Sequence, residues 1–263
     1  EGSAVGDFLK PDRIVAGVAD LRSQQILEEL YADFTCPKLF SAIPVAEMIK
    51  YVSNAFLATK ISFANEIGNI CKKQGIDTEE VFKGVGMDHR INPAFFRSGI
   101  GFGGSCFPKD VRALIARAQE LGMDPKILRN VTEVNEEQPL KLITLLEKHV
   151  PDPRGKKIGV LGLAFKPDTD DIRDSRAIPI VEKLLQKGAT VLAYDPMAMG
   201  NFKKIFPTVN YASSAKDILA ADAVLIATEW RDFEELDYSG KIVIDGRRVE
   251  KARKASVYEG VCW

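Results

Sequence analysis

With 263 residues, 46% of them hydrophobic and 28% charged, and a formal net charge of −1, the chain has core enough for more than one domain and no global field to draw it to nucleic acid or an anionic membrane. No apolar run reaches the roughly 18 residues of a spanning helix, and no signal-peptide pattern is visible. Four cysteines without a Cys-x-x-Cys pair, beside only His89 and His149, exclude a structural zinc site and point to a reducing cytoplasm.

The sequence begins at Glu1 without a methionine and reads as if it starts mid-protein. Residues 1–6 are small and polar, Lys10, Pro11 and Asp12 form a turn, and the apolar run 13–18 predicts a strand. Residues 20–34 carry helical spacing at Leu21, Ile26, Leu27, Leu30 and Tyr31 and stop near Pro37. One strand and one helix cannot make a domain. Residues 1–36 therefore read as the closing part of a larger one.

Residues 45–73 are the longest periodic stretch and predict a helix of about 43 Å at ~1.5 Å per residue. Gly68 inside it costs only about 1 kcal/mol relative to alanine. Such a helix suits a spine between domains or a dimer interface. On it Lys50 and Asn54, four apart, share a face, and on the residues alone they are either a solvated pair or a functional one. A turn and short helix follow over 75–86, with Asp77 or Thr78 as the cap. The next segment, GMDHRINPAFFRSGIG (86–101), mixes Arg90 and Arg97 with Phe95 and Phe96. Cations among aromatics suit a loop that grips a sugar nucleotide, although two of the phenylalanines in this region are expected in the core.

Then comes GFGGSCFPKD (101–110). Pro108 opens a predicted helix over 109–121 that Gly122 ends, so Cys106 sits at a helix entrance. Free N–H groups there, with Lys109 nearby, favour a thiolate. The glycines leave the backbone open to close approach by a ligand. Cys106 is either a candidate nucleophile or a small apolar residue in a glycine turn.

A helical stretch over 125–149 is divided at Pro139, and the breakers Pro151, Asp152, Pro153, Arg154 and Gly155 mark a domain boundary. Beyond it, strands predicted over 157–164, 190–194, 223–227, 241–245 and 256–258 alternate with helices over 175–186, 214–220 and after Trp230. That pattern predicts a parallel sheet with helices on both faces. The fold class is α/β: an all-helical central domain (37–150) with one long spine helix, followed by a Rossmann-like parallel domain (151–263). Gly159 and Gly162 do not make G-x-G-x-x-G, and Asp195, ending a strand, is slight evidence of a nucleotide site. Lys166 and Arg173 on AFKPDTDDIRDS (164–175), with Arg247 and Arg248 after Asp245, gather at strand ends. They either suit a diphosphate or are exposed loop charges.

Several of these stretches resemble the nucleotide-sugar 6-dehydrogenases, the UDP-glucose and GDP-mannose dehydrogenase superfamily. GFGGSCFPKDVRAL is similar to the family's catalytic-cysteine signature, KYVSNAFLATKISFANEI to its central helix, and GLAFKPDTDDIRDS to its substrate-domain loop. EGSAVGDFLKPDRIVAG is similar to the end of its N-terminal NAD-binding domain. The resemblance covers essentially the whole chain. It implies an NAD-dependent four-electron oxidation of a sugar CH₂OH to a carboxylate, by a homodimer joined through the central helix.

In the resemblance, Cys106 holds the aldehyde as a thiohemiacetal and then a thioester, Lys50 stabilises an oxyanion, Asn54 holds water or the substrate oxygen, and Asp110 manages protons. It assigns substrate contacts to Glu1, Phe95, Phe96, Arg97, Ser98, Gly99, Phe102, Gly103, Phe107, Lys166 and Arg247, and to Arg90 reaching a neighbouring subunit's substrate. Cofactor contacts fall on Ser105, Lys109 and Arg173, and no metal is implied. Phenylalanine after the cysteine resembles members acting on UDP-glucose. GDP-mannose and UDP-N-acetyl-hexosamine stay open as substrates. So does a dimerising sugar-nucleotide-binding module without turnover, since the family's glycine fingerprint and upstream general-base glutamate are not among these residues.

Overall fold

The computed structural model describes residues 4–263. The chain forms two compact units, Glu1–Phe56 and Leu57–Trp263.

In the first unit a short helix α1 (Ala4–Leu9) precedes strand β1 (Ile14–Val18), helix α2 (Leu21–Leu30) and strand β2 (Lys38–Ala42). Asp20 starts α2 by accepting the Ser23 N–H at 2.7 Å while Ser23 returns a bond to the Asp20 backbone, a reciprocal cap that satisfies two otherwise orphaned donors. β1 and β2 pair in parallel with Ile14 opposite Lys38, and α2 is the crossover between them. Neither α1 nor β2 was expected. KLFSA runs straight into the next helix without a turn residue to mark its end.

Helix α3 runs from Ile43 to Gln74 and belongs in part to each unit. In the second unit it is followed by α4 (Thr78–Gly86), α5 (Cys106–Glu120), α6 (Lys126–Glu137) and α7 (Leu140–His149). Pro139 divides α6 from α7 as expected, because a helix-interior proline forfeits a hydrogen bond and clashes with the turn before it. Leu142, Ile143, Leu145 and Leu146 of α7 join one apolar core with the sheet that follows, so the turn at 151–155 lies between elements that pack together.

That sheet contains β3 (Lys157–Leu161), β4 (Thr190–Tyr194), β5 (Asn210–Tyr211), β6 (Ala223–Ile226), β7 (Ile242–Asp245) and β8 (Val257–Gly260), all parallel, in the order β5-β4-β3-β6-β7-β8. Numbered along the chain this is 3-2-1-4-5-6, the doubly wound order whose ligand crevice opens where the order reverses, between β3 and β6. Helices α8 (Ala177–Gln186) and α9 (Met199–Ile205) and three short 3-10 helices connect the strands. The two-residue β5 and the proline-led α9 are too short to leave a periodic signal. The inner strands β3 and β6 are almost wholly buried, as runs covered on both faces must be.

Candidate active site

The site is built around the loop from Gly99 to Ser105, which three buried amide side chains hold by its backbone. Asn65 of α3 accepts the Gly99 N–H at 2.8 Å, and Gln138 at the end of α6 donates to the Gly99 carbonyl at 2.8 Å. Asn135 of α6 accepts the Phe102 N–H at 2.8 Å and donates to the Phe102 carbonyl at 3.0 Å, as a neighbouring strand would. None of the three was picked out from the sequence. The available signal was polar residues on the inward face of otherwise amphipathic helices.

The loop delivers Cys106 as the first residue of α5, three residues earlier than the helix was expected to start. Pro108 is tolerated there because the first-turn N–H groups have no helical partner in any case. The Cys106 thiol is exposed, with Ser105 Oγ 3.7 Å from Sγ. Asp110, one turn on, is buried and paired with the exposed Lys109 ammonium.

The glycines before the cysteine serve a purpose the sequence did not reveal. A Cβ on Gly103 would lie 2.4 Å from the Asp174 carbonyl oxygen, and one on Gly104, at φ +82°, would lie 2.8 Å from the Phe165 ring. The close approach is made by the loop after β3, not left open for a ligand. Gly104 N–H donates to the Arg173 carbonyl at 2.8 Å, which fixes that contact.

The cations expected at a diphosphate divide in two. Arg247 turns inward: its Nε donates to the Ala227 carbonyl at 2.8 Å, and an Nη lies 3.5 Å from the Gly101 carbonyl, so it ties the ends of β6 and β7 to the cysteine loop. Arg97 donates to the Arg247 carbonyl at 2.8 Å, and both guanidiniums meet Glu229, at 3.1 and 3.5 Å. Arg173 is exposed with its fork on Asp171, and Lys166 lies 5.7 Å from the Phe165 ring centre. Arg248 does not join them; it points to Asp77 and Glu79 at the start of α4.

Asp195 is also turned into the fold. It is fully buried and accepts from the backbone of Leu163, Ala164, Met197 and Ala198 and from Trp230 Nε1, which makes it an organiser of strand ends.

Among the aromatics, Phe102 is buried, Phe107 packs edge-on to both Phe102 and Phe95, and Phe96 stacks on Phe82 at 4.8 Å. The Lys60 ammonium lies 4.2 Å over Phe96 and donates to the carbonyls of Ile91 and Asn92. Burial pushes its pKa down. Phe96, Arg97 and Ser98 line a cleft of about 540 Å³ together with Arg248; Cys106 is not on its wall. Arg90 is exposed and chelates Asp88. Lys50 is exposed and Asn54 buried, on the first unit's stretch of α3, whereas Cys106 belongs to the second unit. Glu1 lies outside the described residues.

Residues 44–137 match the central domain of the UDP-glucose/GDP-mannose dehydrogenase family, and residues 159–252 match that family's UDP binding domain. The chain belongs to this family. It is 48% identical to the UDP-glucose 6-dehydrogenase AglM of Haloferax volcanii over 99% of its own length and 63% of the relative's. With YwqF, a UDP-glucose 6-dehydrogenase of Bacillus subtilis, it shares 43% identity over 94% of this chain and 58% of that one. The chain thus spans about three fifths of the curated relatives it matches. Among solved structures, a UDP-glucose dehydrogenase from Pyrobaculum islandicum superposes with a TM-score of 0.97 at 48% identity, covering all of this chain and 61% of the other. The GDP-mannose dehydrogenase of Pseudomonas aeruginosa gives 0.59 at 33% identity, covering all of this chain and 63% of that one. No helix among the described residues is long and apolar enough to cross a membrane.

Proposed function

We propose that this chain supplies the catalytic cysteine and the sugar-nucleotide site of a cytoplasmic, NAD-dependent UDP-glucose 6-dehydrogenase. Residues 1–36 are the end of an NAD-binding domain, 37–150 a central domain and 151–263 a UDP-sugar domain. The observation that carries the reading is an exposed Cys106 thiol on a loop bonded through its backbone to Arg173 and approached by Arg247. A reactive sulfur beside a cation-bearing strand-end crevice is what oxidation of a diphosphate-linked sugar requires.

The alcohol carbon loses a hydride and a proton to become an aldehyde. Cys106 Sγ adds to that carbon, forming a C–S bond, and the oxygen takes a proton to give a thiohemiacetal. Loss of a second hydride with the hydroxyl proton gives a thioester. Water then adds, the C–S bond breaks, and carboxylate and thiol are released. Lys50 steadies the developing negative oxygen, Asn54 holds that oxygen or the incoming water, and Asp110 exchanges protons with it.

NAD, when bound, supplies the hydride acceptor for both oxidations. Its fit rests on the Ser105 hydroxyl next to the sulfur and on two exposed cations, Lys109 and Arg173, a donor set that suits an anionic dinucleotide. Gly159 and Gly162, at the end of β3, do not form a G-x-G-x-x-G loop. The same reading makes the protein a homodimer through α3, where Val45, Met48, Val52 and Phe56 are each about half exposed or more, with Arg90 reaching the second subunit's substrate.

Calorimetry on the 263-residue chain tests this. UDP and UDP-glucose are expected to bind and GDP-mannose to bind more weakly, with no NADH formed from UDP-glucose and NAD⁺. Tighter binding of GDP-mannose would move the substrate to that sugar. Failure to bind any nucleotide would overturn the reading, and NADH formation would refute the absence of turnover.

A further inference from the structure

Arg247 and Arg248 are neighbours in sequence with opposite fates. β7 ends at Asp245, whose fully buried carboxylate accepts the backbone N–H groups of Arg247, Arg248 and Val249 at 2.7, 2.9 and 2.7 Å. Three successive bonds of this kind wind the chain into a tight turn. Within it Arg248 has φ +62°, a left-handed conformation that a non-glycine residue keeps only when its surroundings over-determine it.

The surroundings do so from three sides. The Arg248 fork is bidentate on Asp77 at 2.9 and 2.7 Å, and one Nη also meets Glu79 at 3.0 Å. Its guanidinium plane lies 4.3 Å over the Trp263 ring. Trp263 Nε1 donates to the Tyr258 hydroxyl at 2.7 Å, and that hydroxyl donates to Asp245 at 3.1 Å, closing a ring of contacts back onto the turn. Both Nη groups of Arg248 face the start of α4, while Arg247 leaves the same turn toward Ala227 and Gly101.

We propose that Arg248 is the positioning residue for Arg247: its clamp on α4 and Trp263 holds the Gly246–Val249 turn so that Arg247 faces the cysteine loop, where it meets the diphosphate of the nucleotide sugar. The last clause rests on the proposed function; the clamp itself does not. Arg248 acts through the turn and does not touch ligand.

Two readouts on the full chain decide it. The first needs no ligand: the Arg247 Nε–H, donated to the Ala227 carbonyl, is expected to give a slowly exchanging signal by ¹⁵N NMR, and Arg248→Ala to speed its exchange by about tenfold or more. Arg248→Gly keeps the left-handed backbone without the fork and is expected to behave like the alanine variant. Asp77→Asn, which retains a side chain able to cap α4, is expected to shift exchange in the same direction and guards against a variant that fails to fold. The second readout is affinity. Arg248→Ala is expected to weaken UDP by about tenfold and uridine by less than about twofold, and to add nothing once Arg247 is alanine. An Arg247 Nε–H that stays protected in all three variants overturns the proposal. So does an equal loss for uridine and UDP, or a full loss that persists in the Arg247→Ala background. Failure of the unaltered chain to bind UDP would sink the proposed function alone, and the exchange rates would still decide the clamp.

Discussion

Four thiols share this chain, and their surroundings rank them. Cys106 is exposed beside the Ser105 hydroxyl, Cys36 is half-buried, and Cys71 and Cys262 are buried. Burial pushes the Cys262 thiol up to about 12, with the Gln138 amide and the Gly99 carbonyl packed around its sulfur. Since the thiolate is the nucleophile, access favours Cys106, and burial holds Cys262 back. Iodoacetamide at neutral pH followed by peptide mass spectrometry is expected to label Cys106 first and Cys262 last; equal labelling would count against a reactive Cys106. At the same scale, alanine at Gly104 must adopt φ +82° and press its Cβ to 2.8 Å from the Phe165 ring. Gly104→Ala is expected to cost about 2–3 kcal/mol in urea unfolding. The place of Cys106 at a helix entrance was legible because its motif is contiguous in sequence. Arg247 and Arg248 were not separable that way, since side chains two atoms of backbone apart were sent to opposite sides by a turn that only Asp245, Asp77 and Trp263 together determine.

Elements explain why the loop stays where it is. Asn135 on α6 supplies both partners of the Phe102 peptide, and no water-facing alternative exists for that buried backbone. Asn135→Ala leaves one donor and one acceptor unpaired, so a loss of about 2–4 kcal/mol is expected. Asn135→Asp keeps the acceptor and, when protonated, also a donor for the Phe102 carbonyl, so at low pH it is expected to cost less than alanine; two equal values in chemical denaturation there would argue that the loop is held by packing instead. The helices themselves were readable from apolar spacing: α3 was expected over 45–73 and spans Ile43–Gln74, and the Pro139 break fell where proline chemistry puts it. Apart from the two-residue β5, the strands of the sheet were readable from their apolar runs. What spacing did not carry is partnership. Asn65, Asn135 and Gln138 look like ordinary polar residues on helices until the loop they hold is in place, and β2 lacks the turn that would have announced it.

Across the second unit, the sheet reaches the cysteine loop through the buried aspartate that ends β7, Asp245, and the turn it holds. Burial, the largest cause, raises Asp245 from its ordinary 3.8 to about 6, against the opposing pull of the backbone N–H donors and the Tyr258 hydroxyl. In the unfolded chain this carboxyl titrates near its ordinary value, so between about pH 4 and about pH 6 the folded state holds a proton that the unfolded state does not. Stability from this group is therefore greatest below about pH 4 and falls as pH climbs through the folded pKa, the reverse of a salt-bridged carboxylate such as Asp77, which Arg248 holds below its ordinary range and whose contribution is lost as pH drops. Asp245→Asn isolates the effect. Asparagine does not titrate, and its amide opposes at least one of the N–H groups that Asp245 accepts, so the variant is expected to be less stable throughout. The gap between the two proteins should nevertheless shrink by roughly 1 kcal/mol as pH rises from about 5 to about 7, because only the natural carboxyl pays for ionising in the core. Urea unfolding of both proteins at the two pH values measures it. A gap that widens toward pH 7 would mean that the donors around Asp245 outweigh its burial, so that the turn carrying Arg247 is organised by a full negative charge at every pH where the protein works.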